Sequence, residues 1–308
     1  MKVSIVGVGR VGGTIALTIV QQGIADELVL VNRTRKIAEG EALDLMHASA
    51  FAAKPISVYA GDMADTVGSD VVIMCASIPM PAKLETRDQF AVGNYALMSE
   101  LIPEVARYNP QAILLMVTNP VDAMTYLAFK LSGFPASRVI GTGTLIDSAR
   151  YRALLSREFT IHADDVRAYI LGEHGDCQFP ALSIAMTGGM NIEHFEACRR
   201  LFDVTLKGGY EVVKRKGHTN YAIAMAAILI LRSIAGDWRR TMPVSCLISD
   251  YLGVDDVCLS VPAVIGRSGI VRQILPGLSE DETAAFQRAG AAVKRTLAAC
   301  TASPAEVN

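Results

Sequence analysis

Residues 4–16 read SIVGVGRVGGTIA, and Gly7, Gly9 and Gly12 fall at the spacing G-x-G-x-x-G. The run before them, Lys2–Val6, is apolar and rich in β-branched residues, which suits a strand buried on both faces. The segment after them, Arg10–Gln22, has helical periodicity, and Glu27–Val31 reads as a second strand. A glycine turn between a strand and a helix is built for close approach. The first glycine permits the tight turn, the second lets backbone reach a pyrophosphate, and the third lets helix and strand touch. The opening N–H groups of such a helix, here at Arg10, Val11 and Gly12, are free to bind phosphate. The pattern points to a dinucleotide site, with a packing-only glycine turn as the alternative.

The rhythm continues for about 140 residues, as expected of an open parallel sheet covered by helices. Ile37–Met46 is helical, Ile56–Tyr59, Val71–Cys75 and Ile113–Val117 are strand candidates, and a helix falls near Phe90–Tyr108. Past residue 143 the pattern changes. A helix near Leu145–Arg157 precedes strand-like runs at Val166–Leu171 and Ala181–Met186. Helical stretches at about 193–214 and 219–235 follow, then short strand candidates between Pro243 and Arg272, and a last helix near 280–299. The expected class is α/β: a Rossmann doubly wound parallel sheet over residues 1–143, followed by a mixed α+β substrate and catalytic domain over 144–308.

Composition narrows the function. Lysine and arginine number 29 against 31 aspartates and glutamates, a net charge of −2 with no basic block. Nucleic acid and membrane surfaces are therefore not expected partners. The apolar run 221–236 is interrupted by Arg232 and is shorter than the roughly 20 residues a bilayer span needs, so it reads as a core or subunit-interface helix. The first strand starts at residue 2 or 3, so no signal peptide is expected before it. The six cysteines are scattered without a CxxC pair, as for reduced thiols in the cytoplasm, and no metal site is expected.

The acid that grips an adenosine ribose is expected about 20 residues past the glycine turn. That position is Asn32, in VNRTR, followed by Arg33 and Arg35. A carboxylate there would repel a 2′-phosphate, whereas asparagine does not. Arg33, joined by Arg35, would offer charge-assisted bonds worth about 1.5–3 kcal/mol each. NADP is mildly favoured over NAD on this reading; the alternative is that both arginines are solvated and Asn32 binds the ribose of NAD.

Four further segments carry candidate chemistry. LGEHGDCQFP sets His174 between glycines at a strand end, and GTGTLIDSARYR sets Asp147 and Arg150 on neighbouring positions of one helical face. TNPVD ends a strand with Asn119 before a proline, and ETRDQF places Arg87 between a strand and a helix. Together with GVGRVGGTIA and EGEALDL, these motifs resemble the lactate/malate dehydrogenase family along nearly the whole chain.

The resemblance implies roles. His174 would exchange the proton with the oxygen of an L-2-hydroxy or 2-oxo acid. Asp147 would hold the other ring nitrogen. Arg150 would clamp the substrate carboxylate in a bidentate grip. Arg87 would close in and polarise the carbonyl, Asn119 would bond the reacting oxygen, and Asn94 and Asn119 would join the cofactor contacts. Thr219 in KGHTNYA matches a pocket residue, with a structural helix-start threonine as the alternative. A homodimer or homotetramer is implied.

Two departures from the family pattern matter. Members using NAD usually carry aspartate where Asn32 stands. The loop CASIPMPAKLETR places Met80, or Pro81 counting back from Arg87, where malate-type members have arginine and lactate-type members glutamine. Neither residue binds a carboxylate, so a monocarboxylic substrate with an apolar tail is expected. The alternative is that Lys83 meets a second carboxylate and restores malate-type use. A non-catalytic dinucleotide-binding protein is the rival from another class; His174, Asp147 and Arg150 all being present argues against it.

Overall fold

The computed structural model describes residues 1–79, 87–192 and 196–302, the side chains of 87–89 excepted. In chain order the first half contains β1 (Lys2–Val6), α1 (Arg10–Gln22), β2 (Glu27–Val31), α2 (Arg35–Ser49), β3 (Ser57–Ala60), β4 (Val71–Met74), α3 (Arg87–Tyr108), β5 (Ile113–Met116), α4 (Val121–Ser132) and β6 (Val139–Gly141). The second contains α5 (Leu145–Phe159), β7 (Val166–Arg167), β8 (Ile170–Leu171), β9 (Phe179–Pro180), β10 (Met186–Thr187), β11 (Met190–Asn191), α6 (Glu196–Lys216), α7 (Tyr221–Gly236), β12 (Arg240–Ile248), β13 (Val257–Gly266), β14 (Gly269–Gln273) and α8 (Glu280–Ala302).

Six strands pair in parallel in the order β3-β2-β1-β4-β5-β6, the arrangement of a Rossmann sheet. Strand residues alternate between two apolar layers because successive side chains point to opposite faces. Val3, Ile5, Val71, Ile73, Ile113 and Leu115 pack on the side of α1, α2 and α7. Val6, Val72, Met74, Leu114 and Met116 pack on the side of α3, α4 and α8. Covering both faces is what lets the central strands be uninterrupted apolar runs.

Register fixes where the site lies. Val6 pairs with both Val31 and Met74, Met74 with Met116, and Met116 with Gly141. These residues form one row across the sheet. The loops leaving it therefore open along a single edge, the carboxyl edge where ligands of such sheets bind.

The second half departs from expectation in three respects. Its long strands β12 and β13 do not form a separate sheet. β12 pairs antiparallel with β6 through Ser245 and Gly141, and β13 and β14 extend the same sheet outward to nine strands. The run Val166–Leu171 is split between two small sheets, and Ala181–Met186 is mostly a turn of 3₁₀ helix at Leu182–Ile184. α7 buries Ala224, Ala227, Ile228, Ile230 and Leu231 in the core, where it packs on α1. No helix among the described residues is long and apolar enough to cross a membrane.

A Cβ built on Gly12 would sit 2.2 Å from the Gly7 carbonyl oxygen, and one on Gly7 would sit 2.3 Å from the Ala76 nitrogen. Gly9 is different, since nothing lies within 4 Å of its Cβ position. Gly12→Ala is therefore expected to cost about 1–3 kcal/mol of stability. Gly9→Ala should stay within about 0.5 kcal/mol of the parent. Denaturant unfolding of the two variants checks the contrast.

Candidate active site

The glycine turn leaves β1 with Gly7 at φ +98°, its N–H bonded to Val31 O at 2.8 Å. Gly13 donates back to Gly9 O at 2.8 Å, which leaves the N–H groups of Arg10, Val11 and Gly12 at the mouth of α1. That first turn holds no acidic residue, and Gly9, its N-cap, offers no side-chain cap. An open Cβ position at Gly9 beside helix N–H groups that no side chain caps is the space and chemistry a pyrophosphate requires.

The adenosine end differs from the simplest expectation. Asn32 closes β2 with its amide donating to Thr34 O at 3.2 Å. Arg33 is exposed. Arg35 donates to Glu39 at 3.0 Å and to Asp62 at 2.8 Å, so its guanidinium neutralises two carboxylates rather than standing free beside Arg33.

Asn94, on α3, is fully buried. Its carbonyl oxygen accepts from Ile78 N at 2.8 Å and its amide donates to Asn119 O at 2.8 Å. It lies beneath the cleft as a brace between the loops that follow β4 and β5, not on the cleft surface where a cofactor contact was expected. Asn119 itself is exposed, ahead of a cis peptide bond to Pro120. Thr219 lies between α6 and α7. That loop docks on α1, with Asn220 donating to Thr14 Oγ1 at 2.9 Å and the Arg10 charge lowering the His218 pKa beyond what its desolvation does. Arg87 is the first residue of α3, and its side chain lies outside the described residues. Met80 and Lys83 lie outside them altogether.

The centre of the cleft is built from α5 and the loop after β8. Thr144 Oγ1 donates to Ile170 O at 2.6 Å, and Ile170 N donates to Ser148 Oγ at 2.9 Å. Gly172 exchanges backbone bonds with Ser260 on β13 at 3.1 and 2.8 Å. These ties hold the first turn of α5 against the histidine loop. Asp147, 3% exposed, accepts twice: from Arg150 Nη1 at 2.9 Å on Oδ1, and it pairs with His174 Nδ1 at 2.5 Å on Oδ2. The Arg150 and His174 side chains each remain 23% exposed.

The charges set one another. Burial opposes ionisation of Asp147, but the imidazole and then the guanidinium outweigh it and its pKa falls below the ordinary 3.8. Burial likewise opposes the imidazolium. The charge and hydrogen bond of Asp147, with a further contribution from Asp122, prevail and raise His174 above 6.5. With Nδ1 committed to a carboxylate, Nε2 is the nitrogen left to exchange a proton. One polar residue here carried no role in the sequence reading: Asp122, the last letter of TNPVD, accepts the His174 backbone N–H at 2.6 Å. Nothing local marks it. Its partner is 52 residues away.

A Rossmann sheet with a buried carboxylate–imidazole pair and an arginine fork at its carboxyl edge defines a nicotinamide-dependent dehydrogenase site. Two family models together match nearly the whole chain: lactate/malate dehydrogenase, NAD binding domain, over residues 1–141, and lactate/malate dehydrogenase, alpha/beta C-terminal domain, over residues 144–303. The chain belongs to the lactate/malate dehydrogenase family. It is 38% identical over 306 residues to an L-lactate dehydrogenase of Clostridium botulinum, covering 96% of each chain. It is 40% identical over 291 residues to L-lactate dehydrogenase 1 of Clostridium acetobutylicum, covering 91% of this chain and 92% of the relative. Among solved structures it is similar to the minor L-lactate dehydrogenase of Enterococcus mundtii in a ligand-bound form. There the TM-score is 0.92 at 34% identity, over 96% of this chain and 97% of the other. A lactate dehydrogenase, MGS-M5, from a deep-sea metagenome library gives a TM-score of 0.93 at 34% identity over 97% and 98% of the two chains.

His174→Ala is expected to lower turnover about 100- to 10,000-fold, the usual contribution of a general acid–base group. Asp147→Asn should lose activity on a similar scale, because an amide neither fixes the tautomer nor stabilises the imidazolium. Steady-state rates with NADH and a 2-oxo acid check both; near-parent turnover in either variant contradicts the assignment.

Proposed function

We propose that this dehydrogenase acts on monocarboxylic 2-hydroxy and 2-oxo acids, lactate-type in its chemistry, with room for a longer apolar tail. The observation that carries the reading is the double engagement of Asp147 by His174 and Arg150. It orients a proton carrier and a carboxylate clamp from one buried anchor. Residues 1–143 hold the dinucleotide, and 144–308 supply Asp147, Arg150, His174 and Thr219.

The nicotinamide dinucleotide, when bound, supplies or accepts the hydride. Arg150, held by Asp147, directs its remaining N–H groups to the substrate carboxylate. In reduction, His174 gives the proton on Nε2 to the carbonyl oxygen as hydride reaches the adjacent carbon. In oxidation, the neutral imidazole takes the hydroxyl proton as hydride departs. Arg87 and Asn119 bond the same oxygen.

Two features support the apolar tail. The loop sequence at Met80 and Pro81 offers nothing to a second carboxylate, whose desolvation would go uncompensated. The space beside Arg150 is enlarged by two successive glycines inside α6. The Cβ positions of Gly208 and Gly209 would lie 3.5 and 3.6 Å from the Arg150 side chain. Each glycine costs a helix interior about 1 kcal/mol relative to alanine, and ordinary van der Waals contact would have admitted alanine at both.

For the cofactor, we infer that the site takes NAD and admits NADP. Asn32 does not repel a 2′-phosphate, but with Arg35 engaged by Glu39 and Asp62 Arg33 is the one of the two arginines left to attract one. The exposed apolar residues Ile37, Leu43 and Met46 on α2 support assembly with further copies of the chain, as a homodimer or homotetramer; light scattering in solution tests this.

A panel of 2-oxo acids, followed by absorbance at 340 nm, tests the substrate reading. Pyruvate and 4-methyl-2-oxopentanoate should each exceed oxaloacetate in kcat/KM; a large oxaloacetate advantage would overturn it in favour of Lys83. Arg33→Ala should raise KM for NADPH several-fold and leave KM for NADH unchanged. Because the His174 pKa is raised, 2-oxo acid reduction, which consumes that proton, should persist above pH 6.5 and fall as pH rises through the shifted value. Hydroxy-acid oxidation, which needs the neutral ring, should rise over the same window.

A further inference from the structure

His174 is held from two directions, and Asp147 accounts for only one. Behind it, in the first turn of α4, stands Asp122, 2% exposed, whose Oδ2 accepts the His174 backbone N–H at 2.6 Å. The other oxygen, Oδ1, is buried beside the hydroxyl of Ser245 on β12, which offsets part of the burial although neither atom comes within full hydrogen-bond distance of a partner among the described residues. The titratable groups facing Asp122 are His174 and Glu173 on the loop, Cys246 on β12 and Cys258 on β13. No lysine or arginine is among its salt-bridge partners. Its charge is offset by the Ser245 hydroxyl, by the His174 backbone N–H and imidazole, and by the start of the α4 dipole.

A carboxylate in so poor a setting is costly, and burial pushes its carboxyl up to about 6. Asparagine would accept the same N–H, and its amide could also reach Ser245, with no charge to desolvate. What aspartate adds is a second negative charge beside His174, next to its backbone N–H. The charged groups around His174 are then Asp147 and Arg150 on α5, Asp122 on α4 and Glu173 beside it; Asp147 and Asp122 favour the imidazolium and Arg150 opposes it.

We propose that Asp122 is a positioning residue for the acid–base step: it clamps the His174 loop to the start of α4 and sets a second negative charge beside the histidine. This rests on His174 being the proton carrier.

The experiment is a pH profile of kcat/KM for pyruvate reduction with NADH, on the parent, Asp122→Asn and Asp122→Ala. The asparagine variant keeps the clamp and loses the charge. Its descending limb should move down by about 0.5–1 pH unit, the lower end of what a neighbouring opposite charge does, with little change in KM. The alanine variant loses both, and kcat should fall a further 10-fold or more. A folded asparagine variant whose profile superimposes on the parent's overturns the electrostatic role, and an alanine variant with parent kcat overturns the clamp. If the asparagine variant is insoluble, Asp122→Glu, which keeps the charge on a longer arm, decides: the parent's limb with lowered kcat supports the proposal, and parent values of both overturn it. Inactivity of His174→Ala beside an unshifted asparagine variant refutes this inference alone, whereas an active His174→Ala refutes the reading beneath it.

Discussion

A carboxylate with 3% exposure organises the cleft. Asp147 is almost wholly removed from water, and an ionised group in that position is tolerated only where its lone pairs are met and its charge is balanced. Two cations meet it, one on each oxygen. Each is thereby oriented: the imidazole keeps Nε2 free of Asp147, and the guanidinium is fixed at one corner through Nη1. Breaking such an arrangement by removing one partner typically costs about 3–5 kcal/mol, because the remaining charge is stranded. Geometry and ionisation are thus one constraint, since the bond that aims the imidazole also raises its affinity for the proton it carries.

That constraint has to be met across segments distant in sequence, and the sheet makes this possible. The row Val31–Val6–Met74–Met116–Gly141 ends the parallel strands at one level, so the glycine turn, the loop bearing Asn119 and the start of α5 emerge side by side. The antiparallel strands β12 and β13 then continue the same sheet and supply the Ser245 backbone and the Ser260 hydroxyl as ties beneath the cleft. Rigid elements thus bring the dinucleotide end and the acid–base end together; the histidine loop is stitched to α5, α4 and β13 and not left to its own conformational freedom. Preorganisation of this kind is what allows charge to be stabilised without rearrangement during the reaction.

The cofactor end shows the same logic with weaker forces. The candidate pyrophosphate site is shaped by backbone, through exclusion at Gly7 and Gly12 and openness at Gly9. At the end of β2 the candidate ribose contacts are side chains at the surface, where Arg35 is already paired with Glu39 and Asp62. Exposed ion pairs are individually worth about 0–1 kcal/mol, so selection between dinucleotides at this end is a matter of small differences.

Local pattern carried much of this protein. The glycine spacing with its flanking strand and helix, the alternation that follows, and the order of TNPVD, DSAR and GEHGD define fold and family, because each feature is a relation between near neighbours in the chain. Where that condition fails, the sequence is silent. Residues 121–125 of α4 are all buried, so the helix shows no amphipathic face, and β6 is only three residues long. The joining of β12 to β6, the placement of Asn94 under the cleft, the diversion of Arg35 to Asp62, the glycines beside Arg150 and the carboxylate of Asp122 behind His174 were decided by tertiary structure alone. Each is a contact between residues 16 to more than 100 positions apart, or a burial that such contacts create. Non-local contacts leave no period in the sequence from which they could be read.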